Sequence, residues 1–116
     1  MIHIQTVLYI LLTHFIGDFV LQTDWQAKNK STSNEALLNH TLIYSVIWLP
    51  FIFYYHIAWF LPITFVCHTI TDYFTSRLNT KLWAKNEVHY FFVSVGYDQL
   101  LHYVQLLLTY LILTQY

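Results

Sequence analysis

Histidine and aspartate recur four residues apart inside apolar stretches of this chain: His14 with Asp18, His68 with Asp72, and Asp98 with His102, while a further stretch carries His40. Four residues of α-helix turn about 400° and rise roughly 6 Å, so each pair projects from one face, one side chain above the other. Ionisable stripes on otherwise apolar helices constrain the fold, because the stripes must face one another to satisfy their charges. Within a bilayer each aspartate costs about 2.5–3.5 kcal/mol on insertion scales, so residues kept there are candidates for function.

The surroundings of these pairs set the solvent. Hydrophobic residues make up 57% of the chain and charged residues only 9%, against about 25% charged in soluble domains. The composition predicts an integral membrane protein. A chain of 116 residues accommodates about four spans of roughly 20 residues each. The expected architecture is all-α: a four-helix, up-and-down transmembrane bundle forming a single domain over residues 1–116, with helices near 4–21, 35–54, 57–78 and 89–114. Ser33 or Asn34 is placed to cap the second helix, Pro50 to kink its end, and Pro62 falls in the first turns of the third. Residues 22–34 and 79–87 read as polar loops, and residues 51–59 as an uncharged aromatic bend. The amino terminus lacks the basic region of a secretory signal and carries His14 and Asp18, so it reads as a retained helix. A single cysteine, Cys67, excludes an internal disulfide and a cysteine-rich zinc site. A net charge of −1 gives no reason to expect a nucleic-acid partner.

Lys28 and Lys30 fall in the first loop, and Arg77, Lys81 and Lys85 in or beside the third. The positive-inside rule then makes loops one and three cytoplasmic and puts both termini and the aromatic bend on the opposite side. His14, Asp18, His40, His68 and Asp72 come to lie in the cytoplasmic half of the bilayer. Asp98 and His102 match that depth if the fourth helix begins in the interface. An internal echo supports two related hairpins: His14-Phe-Ile-Gly-Asp18-Phe resembles His68-Thr-Ile-Thr-Asp72-Tyr, and each block is followed by a helix with one inward histidine, His40 or His102. Asp98 has Ala36 at the equivalent offset, which makes it the odd carboxylate, and hence the one expected to act on substrate or bridge metals.

No lysine lies within these helices to neutralise the carboxylates. Imidazole and carboxylate together suit divalent ions, zinc first and iron or manganese as alternatives. The candidate metal residues are His14, Asp18, His40, His68, Asp72, Asp98 and His102, with Gln22, Tyr44, Gln99 and Gln105 as supporting donors and Asp98 as the candidate catalytic group. An ion with an open coordination position makes a water nucleophilic near pH 7, and at the cytoplasmic leaflet the matching electrophile is a lipid ester or phosphoester. Basic residues at the mouth would attract anionic head groups. The expectation is a metal-dependent hydrolase with membrane lipid as partner and a homo-oligomer as an option. The competing classes are a metal-ion or proton transporter, which needs access from both sides, and a scaffold or lysis protein held by polar packing alone.

The strings HFIGDFVLQTDWQAKNKS, LLNH, HTITDY and DQLLH resemble the bacterial and phage membrane family called domain of unknown function 3307, over essentially the whole chain. The resemblance is carried by His14, Gly17, Asp18, Gln22, His40, His68, Asp72, Asp98 and His102. It implies a small polytopic membrane protein of bacterial or phage origin, with the bacterial inner membrane as the expected location, and supplies no activity. The polar pattern is more loosely similar to membrane-bound metal-dependent hydrolases, an analogy of pattern alone.

Overall fold

Six α-helices and one π-helical turn, with no strand among the described residues, make up the computed structural model, which describes residues 2–115. Helix α1 (Ile4–Phe15) runs directly into the π turn Ile16–Val20, where Leu21 N–H donates to the Ile16 carbonyl at 2.9 Å. A short α2 (Asp24–Asn29) follows, then α3 (Asn34–Val46), α4 (Leu49–Tyr55), α5 (Phe60–Ala84) and α6 (Val88–Gln115). Helices α5 and α6 form a long hairpin, α3 packs on α5, and α1 lies against α6.

The helix ends follow from local chemistry. Ser33 caps α3 by accepting from the Ala36 N–H, as the sequence suggests. The run of residues 35–54 divides at Ile47 and Trp48, just before Pro50, which enters the first turn of α4. Proline has no N–H and its ring crowds the carbonyl four residues back, here that of Val46, so the break falls where that bond would have formed. Residues 22–34 are not a plain loop. Thr23 and Gln26 form a reciprocal capping box that starts α2. Nor do residues 79–87 form a linker throughout: with no proline or glycine to stop it, α5 continues through Ala84. Asn86 then turns the chain at φ 59°, and His56 does the same after α4 at φ 58°. Asparagine tolerates this left-handed region better than most residues.

The interior has two zones. Ile10, Trp48, Phe51, Phe60 and Leu106 build an apolar, mostly aromatic cluster toward the end of the bundle that carries the 56–59 bend. Beyond it the interior is polar, with His14, Asp18, His40, His68, Asp72, Asp98 and His102 all buried. Tyr44 joins the zones, set edge-on to Trp48 and stacked on His68 at 3.8 Å. Outward faces are apolar instead: Leu8, Phe53, Val66, Phe74, Val104 and Leu108 are each more than 40% exposed.

Among the described residues one run, Asn34–Tyr55, is long and apolar enough to cross a membrane by length and composition, and Ile4–Val20 is apolar but shorter. The expected four spans therefore reduce, on that measure, to an all-α fold with one such segment. Helices α5 and α6 have 25 and 28 residues, but their inward polar stripes lower the hydropathy of any window drawn along them.

Candidate metal centre

The π turn supplies the first candidate ligand. Gly17 sits where a Cβ would lie 2.9 Å from both Ile47 Cγ2 and Tyr44 Cδ2, so only glycine lets this turn approach α3 so closely. Its neighbour Asp18 reaches His40 on α3, with Oδ1 3.0 Å from Nε2, while Oδ2 stays 3.5 Å from His14 Nε2. Helix α5 brings His68 and Asp72 to the same point. The Nε2 atoms of His40 and His68 are 3.3 Å apart, and Asp72 Oδ2 lies 3.3 Å from one and 3.2 Å from the other. Asp18 Oδ1 is 3.6 Å from His68 Nε2.

Asp18, His40, His68 and Asp72 thus offer four donor atoms, all within 4.8 Å of one another. An ion with bonds of about 2.0–2.1 Å in tetrahedral geometry requires donor-to-donor edges of about 3.3 Å. Five of the edges here run from 3.0 to 3.6 Å. Hydrogen bonding alone does not account for such convergence: a neutral imidazole has at most one N–H, yet His40 Nε2 faces Asp18, Asp72 and His68 together. Asp72 Oδ2 and His68 Nδ1 are buried and make no hydrogen bond among the described residues. The charges agree with a cation as well. With the imidazoles neutral, Asp18, Asp72, Asp98 and Lys30, 3.6 Å from Asp72 Oδ2, sum to −2, a charge that a divalent cation or protons on the paired histidines would balance.

Helix α6 extends the cluster. His102 Nε2 is 3.0 Å from Asp72 Oδ1 and 3.2 Å from Asp98 Oδ1, and Asp18, Asp98 and His102 form a second group of close donors. The carboxylate that reaches both halves is Asp72, through its two oxygens; Asp98 lies at the edge, where Thr75 Oγ1 donates to it at 2.6 Å. The internal echo has a geometric counterpart, since Asp18–His40 and Asp72–His102 are both 3.0 Å contacts between successive long helices.

His14 stands outside both donor groups. Gln99 Nε2 donates to Asp18 Oδ2 at 3.3 Å and to Asp98 Oδ2 at 3.1 Å, which leaves its Oε1 to accept from His14 Nε2 at 2.7 Å. His14 Nδ1 then accepts from the Tyr44 hydroxyl at 2.8 Å. Both ring nitrogens are occupied, and His14 orients its neighbours. Gln105 bonds Thr64 and Thr109, away from the centre, and Gln22 Oε1 is buried without a hydrogen-bond partner among the described residues. Two participants escape the sequence reading: Thr75, whose only signal is its place one turn beyond Asp72, and Lys30 as a direct neighbour of Asp72, which depends on α2 folding back onto α3 through Gln26 and Asn39.

Fold and site together define a helical bundle that encloses a buried histidine–aspartate centre. The chain belongs to the family described as protein of unknown function (DUF3307), whose model matches residues 6–116 and so includes every residue of the centre. No curated protein and no solved structure matches it.

Proposed function

We propose that the protein is a divalent-metal-dependent hydrolase of the membrane, acting on an ester or phosphoester at the leaflet that its basic end faces. The observation that carries this reading is the convergence of Asp18, His40, His68 and Asp72, whose four donor atoms all lie within 4.8 Å of one another. Two nitrogens and two carboxylate oxygens suit zinc first, then iron or manganese. The membrane setting is supported by the inverted distribution of side chains, with a polar interior and apolar outward faces.

An ion held by three of these four donors, or expanded to a fifth position with all four, would have room for a water made acidic to near pH 7 and would polarise the electrophile. The chain's own groups do the rest. Asp98, whose side chain is 12% exposed against 4% for Asp18 and 2% for Asp72, is the carboxylate best placed to take the proton from the attacking water. Thr75 and His102 hold it in place. As the new O–P or O–C bond forms and the ester bond breaks, that proton passes to the leaving oxygen. Lys30 offsets negative charge gathering on the substrate.

The aromatic cluster argues against a through pathway. Ile10, Trp48, Phe51, Phe60 and Leu106 fill the interior on the side of the centre away from the basic residues, which favours one-sided access and an enzyme over a transporter. The test is elemental analysis of detergent-purified protein beside His68→Ala, with ester and phosphoester turnover measured in mixed micelles. Stoichiometric metal lost in His68→Ala, together with turnover lost but metal retained in Asp98→Asn, is the expected result. A metal-free wild type, or unchanged activity in His68→Ala, refutes the reading and leaves the histidines as packing for a scaffold.

A further inference from the structure

The polar stripe of α5 does not stop at the centre. His68, Asp72, Ser76 and Asn79 follow one another at intervals of four, four and three residues, so they share one face of the helix. The last two open into a pocket of about 610 Å³ between α2, the end of α5 and the start of α6. That volume lies within the range of small-molecule sites, roughly 300–1,000 Å³. Ser76 is 6% exposed. Its Oγ and the Asn79 Oδ1 are buried without a hydrogen-bond partner among the described residues, which is costly unless a ligand supplies one. Lys30 and Lys28 line the same pocket, no carboxylate does, and the opposite wall is Trp83, Phe91 and Phe92. Lys30 therefore stands between the pocket and Asp72, touching both.

The geometry points to this pocket as the binding site of a phosphoryl-headed amphiphile: the head group accepts from Ser76 Oγ–H and pairs with Lys30, and the hydrocarbon chain lies against Trp83, Phe91 and Phe92. A neutral head would leave Lys28 without a counter-charge in the pocket and Lys30 with Asp72 alone, and a free phosphate would leave the aromatic wall without a role. The inference rests on the hydrolase reading only for what becomes of the ligand after binding.

The test is titration of the full-length protein, in nonionic micelles with chelator present, by dodecyl phosphate, dodecanol and inorganic phosphate, followed by Trp83 fluorescence. Trp83→Phe identifies the signal. Dodecyl phosphate is expected to saturate, with the other two at least tenfold weaker. Lys30→Gln and Ser76→Ala are each expected to weaken it by roughly tenfold, while Arg77→Ala, which lies off the pocket over Tyr73, leaves it unchanged. Equal binding of dodecanol makes the pocket a simple hydrocarbon groove, and equal binding of inorganic phosphate makes it a free anion site; either overturns the inference, as does unaltered binding in both Lys30→Gln and Ser76→Ala. Selective binding without turnover in the metal-loaded protein keeps the pocket and removes the hydrolase, whereas turnover of a chainless phosphoester without selective binding does the reverse.

Discussion

The same chemical change at the two glycines should move stability in opposite directions. At Gly17 an added methyl would meet Ile47 Cγ2 and Tyr44 Cδ2 at 2.9 Å, where ordinary contact is 3.4–4 Å, while at Gly96 it would meet nothing within 4 Å. Relieving the first contact requires the π turn and α3 to separate by about 0.5 Å or more, an overpacking of about 1–3 kcal/mol. Alanine is favoured over glycine in a helix by roughly 0.5–1 kcal/mol, so the packing term wins at Gly17 and the backbone term stands alone at Gly96. Gly17→Ala should lower stability by about 1–2 kcal/mol, which is roughly 5 °C in midpoint for a chain of this size, and Gly96→Ala should raise it slightly. Metal content should follow. Tyr44 stacks on His68 and Asp18 adjoins Gly17, so a shift of 0.5 Å exceeds the tolerance of about 0.2 Å in metal–ligand distances. The measurements are thermal unfolding and elemental analysis of both variants in one detergent. If both midpoints rise together, or Gly17→Ala keeps wild-type metal content and midpoint, close packing at the π turn does not position Asp18.

Thr75→Val removes the 2.6 Å donor to Asp98 and should cost about 1.5–3 kcal/mol, read as a lower midpoint with metal retained at Asp18, His40, His68 and Asp72. Replacing His56, at φ 58°, by glycine should stabilise the turn by about 1 kcal/mol, seen in the same unfolding assay. Chelation should lower the wild-type midpoint and leave that of His68→Ala unmoved. With free ion at a hundred times its dissociation constant, the stabilisation is about 2.7 kcal/mol.

Helical rotation alone made the centre's outline legible, because His68 and Asp72 must share a face whatever packs against them. The all-α class followed from composition, since a chain this apolar and short leaves room for little besides about four helical spans. What stayed hidden depends on contacts between distant segments. The π turn inserts extra backbone after Phe15 without any change in residue pattern, and Lys30 reaches Asp72 only because α2 folds back. Helix α2 itself had a readable signal in Thr23 and Gln26, outweighed by the polar composition around it. Metal, substrate and membrane setting are properties of what the bundle holds and lies in, and side-chain spacing does not encode them directly.

Each hairpin contributes one nitrogen and one oxygen to the four-donor set: Asp18 and His40 come from the segments before the His56 turn, His68 and Asp72 from those after it. Neither half alone can capture an ion with the other half's geometry. If the proposed ion is held there, its loading would act as an inspection of assembly, because a half-folded or mispaired chain would stay unloaded.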